Sequence, residues 1–422
     1  MMKNILTYQG NKTKLIDYIS KNINEYLVEG KALLDIFTGG GSIAKYYKDK
    51  IKVYANDLEV YSYHIVNSFL SKSKKIDCEI IDKFLNDYKN NFSFLYARLS
   101  NYIQDENNYI NDCNITMTKE LYYNYPTIWN QKYSEIINDY LDWKKLNNKD
   151  HYYLFSTHYA GTYFGILQSI EIDSIRYAIS NISLDYNVSC FFSCLYYAMN
   201  QVVFSKDGHM AQPLDIEKNQ SKLFKKRSIS VLDVFMETLE NFNQNCCVFE
   251  HKVFNYELNS IICNSEIIKR VGCIYADPPY TDMQYSRYYH LLNTVTIYEY
   301  CSPTFKNDKY TKGLYLSNRN QSKLSSKNSC MYEMIKLMEV CSNNRINLVI
   351  SYGYPEFNSS EKKDRYVMTF EDLINSCFKV FGKENVKIER MCYEHTNHRN
   401  SKKKHVIEYL ICCRGNVAAY DK

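Results

Sequence analysis

Asp277, Pro278, Pro279 and Tyr280 combine a carboxylate, two rigid imino acids and an aromatic ring in one tetrapeptide. They follow a short apolar run, "VGCIYA". Proline fixes its own φ and donates no backbone hydrogen bond, so two in succession forbid a helix and end a strand. At the C-terminal edge of a buried strand, such a corner faces the ligand crevice of a parallel sheet. There the Asp277 carboxylate and the Pro278 carbonyl would be two acceptors held rigidly outward, with the Tyr280 ring beside them. A plain strand-to-loop turn uses the same residues, so the tetrapeptide must be weighed with its companions.

Three other stretches carry chemistry. "DIFTGGGS", Asp35 to Ser42, is a glycine turn of the form F-x-G-x-G, with Phe37, Gly39 and Gly41. Glycines after a strand let backbone approach a ligand closely at a helix N-terminus. The third spaced glycine of the dinucleotide fingerprint is absent. "YAND" puts Asp57 at the end of the next strand. An acidic residue there can accept from both hydroxyls of a ribose, or cap the helix that follows. "YQGNK" sets Tyr8 and Lys12 four residues apart, so that a ring and a cation could close over a small zwitterionic ligand. By itself it reads as a surface turn before a helix.

The elements that must position these residues show in the periodicity. Apolar spacing predicts a helix from Lys12 to Leu27. "ALLDIF" and "IKVYAND" read as strands, "IAKYYKDK" and "VYSYHIVNSFL" as helices, the opening of a doubly wound α/β sheet. From about residue 73 to 247 the chain turns Asn/Tyr/Lys-rich and helical in rhythm. Strands return at "CVFEHKVF", "VGCIYA" and "INLVISYG". After the helix "FEDLINSCFKVF", two β-like runs close the chain, "VKIERMCYEH" and "KHVIEYLICC", which predict a hairpin. The expected fold class is α/β: one sheet with a terminal β-hairpin, interrupted by a large, mainly helical insertion.

The totals narrow the class. Of 422 residues, 45% are hydrophobic and 23% charged, as in ordinary globular proteins of two or three domains. No apolar run approaches the roughly 20 residues of a membrane span, and the first residues lack the apolar core of a signal peptide, so a cytoplasmic protein without a membrane partner is expected. The 15 cysteines contain no C-x-x-C, which argues for reduced, structural thiols and against a metal site. The net charge of +5 permits a nucleic-acid partner without demanding one.

Taken in order, the aromatic–x–G–x–K segment, the F-x-G-x-G loop, the acidic strand end and D-P-P-Y resemble the DNA adenine-N6 methyltransferases typified by bacterial Dam enzymes. The resemblance covers about residues 5–70 and 245–415. It implies a Rossmann-like methyltransferase sheet built from residues 1–72 and 248–422, with 73–247 inserted as a target-recognition lobe. It implies S-adenosylmethionine as cofactor, held by Tyr8, Lys12, Asp35, Phe37, Gly39, Gly41, Asp57 and Asp277, with Asn255 near its adenine. It implies Asp277, Pro278, Pro279 and Tyr280 as the catalytic tetrapeptide, acting on an adenine flipped out of double-stranded DNA. In that role Tyr280 needs its ring for stacking and not its hydroxyl. Arg287, with Tyr288, Tyr289 and His290 beside it, is expected near the DNA. The basic runs Lys225, Lys226, Arg227 and His398 to His405 are expected on phosphates. A cognate restriction endonuclease is an allowed partner.

Cytosine N4, RNA adenine and a protein glutamine amide are alternative methyl acceptors. Asp at the head of the tetrapeptide and the long insertion favour DNA adenine. A non-catalytic DNA-binding relic would carry damaged motifs, and all four are intact. The missing third glycine disfavours a nicotinamide dehydrogenase.

Overall fold

The computed structural model describes residues 12–72, 76–129, 138, 150–183, 186–206, 209–241, 248–299, 301–302, 304–307, 309–355, 363–396 and 403–415. They group into two compact bodies. The described residues of 12–71, 248–285 and 320–415 make one; those of 72–241 and 286–319 make the other.

The first body holds a seven-stranded sheet. Its strands are β1 (Ala32–Asp35), β2 (Val53–Asn56), β3 (Lys252–Phe254), β4 (Val271–Ala276), β5 (Asn347–Tyr354), β6 (Val386–Thr396) and β7 (Lys403–Cys413). The spatial order is β3-β2-β1-β4-β5-β7-β6. The first five run parallel. β7 lies antiparallel to β5, and β6 antiparallel to β7. Every residue of β1, β2 and β4 is buried. That is why these strands read as continuous apolar runs and not as alternating ones. Asp35 is in register with Ala55 and Tyr275, and Asn56 with Phe254. The C-terminal ends of four strands therefore coincide, and the segments that follow them share one rim.

Helices pack against the sheet. α1 (Ile16–Asn24) follows a 3-10 turn at Lys12–Leu15, so the expected helix starts tighter and ends earlier than its periodicity suggests. α2 (Ser42–Tyr47) and α3 (Val60–Leu70) follow β1 and β2. Farther along, α4 (Cys330–Asn343) buries Met334, Leu337, Met338 and Cys341 at helical spacing. α5 (Phe370–Phe381) buries Leu373, Cys377 and Phe381, and both helices share one core with β1, β4 and β5. Each fully buried aliphatic side chain there contributes about 1.5–3 kcal/mol.

The second body is mainly helical. A 34-residue helix, Cys78–Asn111, packs along Ile166–Ser180. Buried Asn91 of the long helix donates to the Tyr152 carbonyl at 2.9 Å and accepts from its N–H at 2.6 Å. Residues 286–319, expected with the sheet, belong here. Arg176 donates to the carbonyls of Val295 at 2.8 Å and Thr296 at 3.1 Å. Tyr298 donates to buried Asp173 at 2.5 Å, and Tyr315 to the Ala211 carbonyl at 2.6 Å. Such polar tethers carry no periodicity, which is why the pattern of apolar residues places the boundary elsewhere.

Candidate active site

The glycine turn and the strand ends build one cavity in the sheet body. Asp35, Phe37, Gly39, Asp57, Asp277 and Pro278 all line it. The turn is shaped by local bonds. Thr38 donates its hydroxyl to the Asp35 carbonyl at 2.9 Å and its N–H to the Asn56 carbonyl at 3.0 Å. Gly39 takes φ +53° and donates its N–H to Asp57 Oδ2 at 2.7 Å. Asp57 Oδ1 accepts from the Glu59 N–H at 2.9 Å. Asp57 thus closes the turn and stiffens the entry to α3, and its carboxylate lines the cavity. Burial raises its carboxyl above the usual range, against the pull of the Glu59 and Gly39 N–H groups.

Gly41 sets a close approach of two helices. Its φ is +76°, and a Cβ there would lie 2.8 Å from the Phe69 ring and 3.0 Å from Val66. It lets α2 approach α3, and it does not line the cavity. Asn255 also departs from its expected place. It is exposed and donates to the carbonyls of Asp57 at 2.7 Å and Leu58 at 3.0 Å, bracing the wall from outside. Tyr8 lies outside the described residues.

Asp277 follows the last residue of β4, as the proline corner predicts. Its loop is pinned by the Val367 N–H, which donates to the Tyr280 carbonyl at 3.0 Å, and by a bridge between Thr281 and Tyr366. Tyr280 donates its hydroxyl to Asp277 Oδ1 at 2.9 Å. Lys12 lies 3.3 Å from the same oxygen and donates to the Tyr280 hydroxyl. Its ammonium also sits 2.7 Å from Glu408 Oε1. Burial alone would lower the Lys12 pKa, but Asp277 and Glu408 outweigh it and hold the ammonium charged. Burial pushes the Asp277 carboxyl up to about 6; Lys12 opposes that and Glu408 adds to it. The Tyr280 hydroxyl is therefore engaged in the cluster, contrary to the expectation that only its ring matters.

Asp35 is 1% exposed, and its buried Oδ1 has no hydrogen-bond partner among the described residues. Burial, then Asp277 and Asp57, hold its carboxyl well above the usual range. Among the described residues six carboxylates line the cavity, Asp35, Asp57, Glu59, Glu257, Asp277 and Glu333, against the ammoniums of Lys12 and Lys323, so it is net negative when ionised, which suits a cationic ligand with donors to offer.

Three contributors escaped the sequence reading. Asn56 stitches the loops, donating to the carbonyls of Ile36 at 3.3 Å and Tyr256 at 3.1 Å and accepting from the Tyr256 N–H at 3.0 Å. Gln284 forks onto the Ser322 backbone, accepting from its N–H at 2.9 Å, and so brings 321–325 to the cavity wall. Glu408 is fully buried in β7. A lone charge inside "HVIEYLICC" was the available signal.

The basic residues expected on DNA lie in the helical body and do not behave as a unit. Lys225 and Arg287 are exposed, the latter with its guanidinium 5.7 Å from the Tyr315 ring centre. Lys226 is half-buried and donates to the Gln201 carbonyl. Arg227 is a correction: it is 9% exposed and spends its guanidinium on Tyr122 Oη at 3.1 Å, Gln168 Oε1 at 3.3 Å and the Thr162 carbonyl at 3.0 Å. Its place on the inner face of Gln220–Arg227 puts it among acceptors where phosphate cannot reach. Tyr289 and His290 are likewise buried, and burial pushes the His290 imidazole down to about 3. Residues 398–402 of the second basic run lie outside the described residues.

A mainly parallel sheet whose strand ends carry a glycine turn and acidic residues belongs to α/β proteins that bind a ligand across those ends. The sequence matches the D12 class N6 adenine-specific DNA methyltransferase family over residues 8–129 and 104–339, and the chain belongs to that family. Among similar proteins, Modification methylase LlaI of Lactococcus lactis subsp. lactis is 25% identical over 319 residues, 75% of this chain and 42% of that protein. Modification methylase StsI of Streptococcus sanguinis is 26% identical over 421 residues, 96% of this chain and 51% of that protein. Type II methyltransferase M.NlaIII of Neisseria lactamica is 22% identical over 318 residues, 74% of this chain and 76% of that protein. The chain thus spans about half the length of the first two relatives.

Proposed function

We propose that this chain transfers a methyl group from S-adenosylmethionine to N6 of an adenine in double-stranded DNA. One observation carries the reading: Asp277, oriented by Lys12 and Tyr280, shares a cavity with the glycine turn and Asp57. The residues fit the cofactor's chemistry. Asp35 Oδ1, without a hydrogen-bond partner among the described residues, is an acceptor for an ammonium group, and the Asp57 carboxylate lines the cavity where ribose hydroxyls would reach it. When bound, the cofactor supplies an electrophilic methyl on a sulfonium.

The chain's own residues would supply position and polarity. An adenine amino group is a poor nucleophile because its lone pair is delocalised into the ring. Asp277 and the Pro278 carbonyl, accepting its two hydrogens, favour a pyramidal nitrogen with the lone pair directed at the methyl. Positioning of this kind is where most of the rate gain arises. The nitrogen becomes acidic once it carries the methyl, so Asp277 need not be a strong base. The target would leave the helix stack to reach the site, where the Tyr280 ring supports it for roughly 1–3 kcal/mol.

The helical body, the described residues of 72–241 with 286–319, is the proposed reader of DNA, with the exposed Lys225 and Arg287 on phosphates. Two of the relatives are named modification methylases, which supports a cytoplasmic role beside a cognate restriction endonuclease. Among the described residues no helix is long and apolar enough to cross a membrane. The test is mass spectrometry of nucleosides from DNA of cells expressing the protein. N6-methyladenine should appear, and Asp277→Ala should abolish it; N4-methylcytosine in its place would overturn the assignment.

A further inference from the structure

We propose that Glu408 is a positioning residue for this site: it holds the Lys12 ammonium at a set distance from Asp277 and so keeps Asp277 Oδ2 open to the target amine. This rests on the methyl-transfer reading above. A carboxylate with no exposed surface in the middle of a strand is costly unless it is paired. Glu408 is paired, and the strand opposite is built around it. In the β5–β7 ladder Glu408 faces Gly353, and Ser351 lies two residues before. The Ser351 hydroxyl donates to the Glu408 carboxylate. A Cβ at Gly353 would stand 3.2 Å from the Tyr280 ring and 3.6 Å from Glu408 Oε2. The glycine leaves room for the carboxylate and the catalytic ring together.

An ammonium has three hydrogens. Lys12 has three acceptors around it: Glu408 Oε1 at 2.7 Å, the Tyr280 hydroxyl, and Asp277 Oδ1 at 3.3 Å. The closest carboxylate is Glu408, not Asp277. Tyr280 then passes its own hydrogen to Asp277 Oδ1 at 2.9 Å. Both contacts fall on Oδ1, so Oδ2 is the oxygen left for the target amine. Without Glu408 the ammonium would be drawn onto Asp277, competing with the amine for the same carboxylate. Among the described residues, the charged and titratable groups that act on Asp277 are Lys12 from the first turn, Asp35 from β1, Tyr275 from β4, Tyr280 from its own loop and Glu408 from β7. Lys12 lowers the Asp277 pKa and Glu408 raises it, so the two partners act on Asp277 with opposite sign.

The experiment uses the full chain and the variants Glu408→Gln, Glu408→Asp and Lys12→Met. Single-turnover methylation of duplex DNA is followed against pH, and the Asp277 carboxyl is titrated by carbon-13 NMR without DNA. Glu408→Gln removes a negative charge, so the acid limb and the NMR midpoint should move to lower pH. Lys12→Met should move both to higher pH. The plateau rate of Glu408→Gln should fall at least about tenfold, the size expected for one misplaced charged hydrogen bond. Glu408→Asp keeps the charge at a shorter reach: its midpoint should stay near that of the parent while its plateau drops. Should circular dichroism show Glu408→Gln unfolded, Glu408→Asp carries the test, and an unchanged plateau there overturns the proposal. Unchanged midpoints in Glu408→Gln and Lys12→Met also overturn it. Parent protein that makes no N6-methyladenine at any pH refutes the methyl-transfer reading instead, and the NMR midpoints still decide the coupling.

Discussion

In the proposed reaction the chemistry at Asp277 turns on one proton. Burial, opposed by Lys12, places its carboxyl at about 6, above the usual carboxylate range. A neutral carboxylic acid presents a donor where the amine needs an acceptor. Activity should therefore be full above that value and fall as pH drops through about 6, which a single-turnover pH profile would show. Tyr280 belongs to the same circuit. Its hydroxyl links Lys12 to Asp277, so Tyr280→Phe should lower the methylation rate about tenfold or more, the cost of a hydrogen bond to charged groups. DNA affinity should change little, since the ring remains. Equal rates for Tyr280→Phe and the parent would confine the residue to stacking.

Secondary-structure elements bring these groups together through two close approaches. One is Gly353, opposite Glu408 in the β5–β7 ladder. The other is Gly41, where α2 meets α3. Gly41→Ala would place a methyl 2.8 Å from the Phe69 ring at a φ of +76°. The variant should lose about 1–3 kcal/mol of stability, from strain and displaced packing. Chemical denaturation would measure that loss. Cofactor affinity of the folded fraction, by calorimetry, should be nearly unchanged, because Gly41 does not line the cavity. A large affinity loss with normal stability would return it to the binding set.

For the molecule as a whole, the helical body separates cations that adjoin in sequence. Lys225 is exposed, whereas Arg227 is 9% exposed among its acceptors. Lys225→Ala should flatten the salt dependence of DNA binding by roughly one unit of slope and leave stability alone. Arg227→Ala should cost about 2–4 kcal/mol of stability by stranding several acceptors. Binding titrations across salt, set beside thermal melts, distinguish the two. A flattened salt slope in a fully stable Arg227→Ala protein would put that guanidinium on the surface.

Much of the sheet was legible because its signals are local. "ALLD" and "VGCIYA" are buried on both faces, so parallel strands announce themselves as apolar runs. Two prolines end β4 where the covalent geometry of proline requires it. Three glycines mark the turn after β1 for the same kind of reason. Amino-acid order by itself therefore determined where Asp35, Asp57 and Asp277 stand along the chain: each at or next to the end of a strand. It did not determine what else meets them. Lys12 and Glu408 are 396 positions apart and come within 2.7 Å only because β7 runs antiparallel beside β5. Arg227 and Lys225 look alike in "KKRS", and only the packing of Gln220–Arg227 buries one and exposes the other. Hydrogen bonds between distant side chains leave no periodic trace, so their partners were decided by the tertiary structure alone.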